Sequence, residues 1–291
     1  MVGMIQGDGF FAALTRVRTL FWLGLIGVAL GAGCTAVALV RGSLAVGAEG
    51  DLSKAITFDG AVGIYLLTLG FFVPLAEFTS QGLRRWLGWT TGVIVYAYTL
   101  ETVQTLRGLD PRFTKVGTPV DQILGGVFFL VACGVIALFC ILAIKLVRRG
   151  VQDRQGIILL GIRYAIGATL VAFAAGLWMS AIAGRRFGGS GNILPLHAIG
   201  FHGLQAVPLV AWLLSRSSLP DHDARRWVHL AGAGWIGACL AIAWRTAEGQ
   251  PVTEFSISTT LAALFVLAWG LITIRAALAW MQSKTAPVTG Y

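Results

Sequence analysis

The sequence predicts an all-α fold, a polytopic transmembrane helix bundle of about eight spans with both termini cytoplasmic. Three observations predict it. The chain of 291 residues is 56% hydrophobic and only 12% charged, too little charge to cover a water-soluble surface. Its apolar residues fall in runs of roughly 20, the length that crosses about 30 Å of hydrocarbon. Its lysines and arginines collect on alternate ends of those runs, as the positive-inside rule requires.

Eight runs bounded by charges, glycine or proline meet the length requirement: 19–40, 61–78, 86–106, 123–147, 157–182, 193–214, 227–244 and 255–281. The first follows Arg16 and Arg18 and exceeds the roughly 7–15 residues of a signal-peptide core, so it reads as a retained helix. A lipoprotein reading of Gly31-Ala32-Gly33-Cys34 lacks the usual leucine three positions before the cysteine. The second run ends near Glu77, which Arg84 or Arg85 can pair at the rim. The third carries the polar stretch YAYTLETVQTLRG. The fourth, fifth and eighth contain Lys145, Arg163 and Arg275 close enough to an end to snorkel. The sixth carries GNILPLHAIGFHGLQAVP, and the seventh follows Arg225 and Arg226. Continuous apolarity without strict alternation excludes a transmembrane barrel.

Fourteen lysines and arginines flank the side of the N-terminus and eight the other side. That asymmetry places both termini in the cytoplasm of a cell inner or plasma membrane. The connections are short, so the chain is one integral membrane domain over 1–291. Polar residues precede the even-numbered runs (Asp59, Asp121, Asn192, Glu254), and the preference of acids and amides for helix starts accounts for them. The net charge of +9 is spread between apolar runs, which points to membrane lipids as partners and not to nucleic acid. No sequence feature specifies a partner subunit.

Ionisable side chains within a span are functional candidates, because each costs several kcal/mol. The richest group lies toward the outside. Run 86–106 contributes Tyr96, Tyr98, Glu101, Gln104 and Arg107, and run 193–214 contributes His197, His202 and Gln205 after Asn192. At 1.5 Å per residue, His197 lies about 6 Å and His202 about 13 Å below the outer end, with Glu101 near the level of His197. If these two runs are neighbours, they form a polar cup rimmed by arginines including Arg185 and Arg186. Glu101, His197 and His202 are then the candidate catalytic groups, since a carboxylate facing an imidazole suits proton transfer. Tyr96, Tyr98, Gln104, Arg107, Arg185, Arg186, Asn192 and Gln205 are the candidate contacts for an amphiphilic or anionic ligand.

The two histidines are about 140° apart around a helix, which disfavours a shared metal ion. The four cysteines form no CxxC, and no P-loop, GxSxG, HExxH or dinucleotide fingerprint occurs. No cofactor is indicated. The sequence therefore leaves three readings: an intramembrane enzyme or ligand-binding protein, a proton-coupled transporter with Glu77 and Glu101 as stations, and a non-catalytic subunit of a membrane complex.

Overall fold

A computed structural model describes residues 17–150 and 154–285. Arg16 and the chain termini, with their expected cytoplasmic placement, lie outside the described residues. The chain divides into two compact units, Met1–Lys145 and Leu146–Tyr291. In the first unit, α1 (Arg18–Arg41) leads through a minimal hairpin, β1 (Ala45–Val46) and β2 (Gly50–Asp51), into α2 (Leu52–Phe72). A 3-10 turn over Val73–Ala76, α3 (Ser80–Leu106) and α4 (Pro119–Arg148) follow. In the second, α5 (Arg154–Ala181) leads through β3 (Arg186–Phe187) and β4 (Gly191–Asn192) into α6 (Leu194–Leu214), α7 (Asp221–Ala247) and α8 (Ile257–Thr285).

Seven of these helices are long and apolar enough to cross a membrane, against about eight expected. The difference is α3. Its 27 residues suffice in length, but Arg84, Arg85, Glu101 and its many hydroxyls and amides make it the least lipid-like helix.

Helix α2 starts upstream of the apolar run that begins at 61. Asp51 Oδ1 accepts the Ser53 amide (2.9 Å) and the Ser53 hydroxyl (2.6 Å), an N-cap that satisfies a free amide of the first turn. The helix therefore begins at Leu52 instead of 61, and Lys54 and Asp59 lie within it. A similar extension occurs at α7, which starts at Asp221 with Asp223 in its first turn, where acids favour the positive end of the helix dipole.

The two units have the same order of strands and long helices, and from the hairpin through the third helix the second follows the first at an offset of about 141 residues. The hairpin registers Ala45↔Asp51 and Val46↔Gly50 recur as Arg186↔Asn192 and Phe187↔Gly191. The Leu52 amide donates to Leu44 O as the Ile193 amide does to Arg185 O, both at 2.8 Å. Each hairpin is pinned to the end of its unit's third helix: Glu49 N–H donates to Gly108 O (2.9 Å) and Ser190 N–H to Gly249 O (3.1 Å). Gly47 and Gly188 are required there, because their φ values are 58° and 65° and a Cβ would stand 2.9 and 2.6 Å from the crossing Gly108 and Gly249 Cα atoms. Helices α3 and α7 share this offset over their full length, including Arg84-Arg85-Trp86 and Arg225-Arg226-Trp227.

Within each unit the first two helices approach closely, as small residues allow where lipid gives no hydrophobic drive between helices. In the first unit Gly24, Gly27 and Gly31 of α1 face α2. A Cβ on Gly24 would lie 2.9 Å from Gly63 O, and one on Gly27 would collide with the Tyr98 hydroxyl. In the second unit Gly200 and Gly203 of α6 and Gly161 of α5 serve this role: a Cβ on Gly203 would stand 2.5 Å from Ala168 Cβ, one on Gly200 2.7 Å from Ala172 Cβ, and one on Gly161 2.5 Å from Ala211 Cβ.

Candidate functional site

The densest buried polar cluster described in the first unit is built around Asp59, Glu101 and Arg112. Because α2 starts early, Asp59 falls two turns into it and faces α3, where the Thr102 hydroxyl donates to Asp59 Oδ2 (2.8 Å). Glu101 lies one position earlier on α3. Arg112 comes from the α3–α4 connection, and its Nη2 donates to Glu101 Oε2 at 2.6 Å. The guanidinium lies beside the contacting rings of Phe58 and Phe128, 5.0 and 4.9 Å from their centroids, close enough for a cation–π contact with each.

The connection that delivers Arg112 is itself built by carboxylates. Asp110 Oδ1 accepts the amides of Arg112 and Phe113, each at 2.9 Å, and Asp110 Oδ2 pairs with Lys54 Nζ at 2.7 Å. Burial opposes the Asp110 charge, but the Lys54 bond and the two amides outweigh it and hold its carboxyl below the usual range. Glu49 accepts the Thr114 hydroxyl and the Lys115 amide, which likewise hold its carboxyl low. The ionised side chains outside the helices thus clamp the loop that carries the interior counter-charge.

Asp59, Glu101 and Thr105 are each 0% exposed, and Asp59 Oδ1, Glu101 Oε1 and Thr105 Oγ1 have no hydrogen-bond partner. Buried polar atoms are nearly always paired, so three orphaned oxygens within one unit are unusual. Asp59, Glu101 and Arg112 lie within electrostatic range of one another. The cluster contains two carboxylates and one guanidinium.

The structure gathers some of the residues expected from sequence and separates others between units. Beside Glu101, the Gln104 amide and Arg107 both donate to Asp121 Oδ1, at 2.9 and 2.7 Å, which closes the C-terminal end of α3 onto the start of α4. Tyr96 and Tyr98 donate their hydroxyls to Leu124 O (2.7 Å) and Leu23 O (3.3 Å), joining helices within the unit. The other candidates belong to the second unit. His197 Nδ1 is 2.8 Å from Ala172 O, and the ring meets Phe201 edge-on at 4.8 Å. His202 is exposed and Gln205 half-buried on the same helix. Asn192 accepts the Leu194 amide (3.0 Å) at the end of the hairpin that carries the exposed Arg185 and Arg186. Among the described residues, no three His, Cys, Asp or Glu side chains are grouped so as to hold a metal ion.

Sequence reasoning missed Asp59 as an interior residue and Arg112 as an interior counter-ion. The first had a signal, the capping sequence Gly50-Asp51-Leu52-Ser53, which parallels Gly191-Asn192-Ile193 in the second half. No family model matches the chain, and no curated protein or solved structure is significantly similar to it.

Proposed function

We propose that the Asp59–Glu101–Arg112 cluster is a proton-exchange site and that the protein is a proton-coupled transporter of a cell inner or plasma membrane. One observation carries the reading: two fully buried carboxylates lie near one guanidinium, which pairs with Glu101 alone, and each keeps an oxygen without a partner. An uncompensated charge in a low-dielectric interior costs several kcal/mol, so neutrality of this cluster calls for one proton. A carboxylic acid formed there gains an O–H donor that either orphaned oxygen can carry or accept. The internal repeat supports the same reading, since many secondary transporters are built from structural repeats.

Currents from pH jumps applied to proteoliposomes on a solid-supported membrane test this site without a known substrate. The wild-type protein gives a transient current as protons enter the cluster. Glu101→Gln abolishes it, and Asp59→Asn reduces it severalfold, in variants that remain monodisperse. An unchanged current in both variants, or none in the wild type, overturns the reading.

A second reading is favoured by the exposed Arg185 and Arg186 beside Asn192. An amphiphilic or anionic ligand held there, with His197 and His202 of the same unit as acid–base groups, makes the protein an intramembrane binding protein or enzyme. Loss of such a ligand on His197→Ala, with the pH-jump current intact, distinguishes it.

A further inference from the structure

The Arg-Arg-Trp segment occurs in both halves but has a different environment in each. In the first, Trp86 is 4% exposed and its indole N–H donates to Leu138 O at 2.9 Å, so the ring is fixed in packing. In the second, Trp227 is half-buried and the Arg275 guanidinium of α8 lies 4.6 Å from its ring centroid. Beside it opens a cavity of about 280 Å³ lined by Leu219, Asp223, Arg226, Trp227, Leu230 and Arg275.

We propose that this cavity binds the headgroup of an anionic phospholipid, with Arg226 and Arg275 on the phosphate and an acyl chain along Leu230 and Leu271. Charge is the first argument. Two exposed guanidiniums face one carboxylate, and that carboxylate, Asp223, already has His222 at 3.3 Å, so the cavity keeps a positive excess. Paired guanidiniums match the oxygens of a phosphate in geometry as well as charge.

Position is the second argument, and it selects a lipid over a soluble anion. Arg226 lies five residues, about 7.5 Å, inside the start of α7, and Arg275 ten residues, about 15 Å, before the end of α8. Nearer that end of α8, Lys284 lies 4.2 Å from the Trp280 ring centroid and Arg216 4.3 Å from that of Trp212, an arrangement suited to a membrane interface. The cavity thus sits where headgroup meets hydrocarbon. Leu230 is 46% exposed on its wall, and Leu271, one helical turn from Arg275, is 60% exposed. An ion in water has no use for that apolar track, whereas an acyl chain covers it.

Native mass spectrometry of the full chain tests the site, with dioleoyl phosphatidylglycerol and dioleoyl phosphatidylcholine titrated separately. The first should bind about tenfold more tightly, as two arginines near an anionic headgroup predict. Arg226→Gln/Arg275→Gln should erase that preference, and Arg275→Lys should keep most of it, which separates lost charge from lost folding. Equal binding of the two lipids, or a preference untouched in the double glutamine variant, overturns the proposal. So does saturation of the site by inorganic phosphate at the concentration at which the lipid binds, since that outcome makes the acyl track irrelevant.

Discussion

In the first half, Gly27 and Gly31 sit on α1 and face the α2 segment around Asp59. In the second half, the residues 141 positions later are Ala168 and Ala172, and the glycines that admit them, Gly200 and Gly203, have moved to α6. At this level the missing side chains are on opposite helices, although Gly63 of α2 and Gly161 of α5 make close approaches elsewhere along the two seams. By removing Cβ atoms from α1, the first half leaves α2 free to carry a functional side chain, and the position that is Gly200 in the second half is Asp59 here. Tyr98 also enters beside Gly27, at a position that is Cys239 in the second half. A repeated scaffold thus acquires a charged site in one copy by choosing which helix gives up its side chains.

The largest contrast between the halves should appear in their arginines. Arg112→Ala leaves Glu101 buried without its counter-charge and should cost about 3–5 kcal/mol. Arg245→Ala removes a buried side chain with its bonds to Pro251 O, Glu248 and Glu254, but the two carboxylates left behind are 40% and 60% exposed and stay solvated, so it should cost less, about 1–2 kcal/mol. Chemical unfolding in mixed micelles measures both, and equal losses would remove the distinction drawn here. A double change of Glu101 and Arg112 to leucine should recover most of the single-variant loss.

The swapped seam predicts a rescue of intermediate size. Gly203→Ala drives a methyl group into Ala168 and should destabilise by about 1–3 kcal/mol. Adding Ala168→Gly restores the first half's pattern and should return more than half of that loss. If the double variant is no more stable than the single one, the seam is not a simple exchange of small residues.

The smallest effect concerns pH. Asp110 is held below the ordinary carboxylate range, so its contribution is fully present above the unfolded value and is lost as pH falls through the folded one. Thermal unfolding should therefore show a decline of about 1 kcal/mol or less below roughly pH 4. Asp110→Asn should be less stable at neutral pH and should lack that increment of the decline. Were the decline equally steep in the variant, the loop clamp would lie elsewhere, with Glu49 the next residue to change.

The helical, apolar character was legible in the sequence, down to seven helices long and apolar enough to cross a membrane, because a bilayer imposes length and apolarity directly on the residues. The repeat was not, since its shared residues are few (Gly47 and Gly188, Gly50 and Gly191, the two Arg-Arg-Trp segments, Gly108 and Gly249) and lie in interchangeable apolar filler at a spacing far beyond the 20–50 residues of solenoid repeats. Glu101 stood out as an acid within an apolar run. Asp59 did not, because with Lys54 it resembled a connecting segment until the Asp51 cap moved the helix start upstream. The role of Arg112 could not be read at all: its insertion beside Glu101, Phe58 and Phe128 is set by the path of a loop, which no local pattern encodes.

That insertion has a mechanical consequence. The positive charge facing Glu101 is not rooted in a helix but hangs from an external strap fastened by Lys54, Glu49 and Asp110. The loop's fastening and not a helical backbone thus fixes the cation beside Glu101, so the charge balance of a helix-borne acid is set by side chains of a connecting segment.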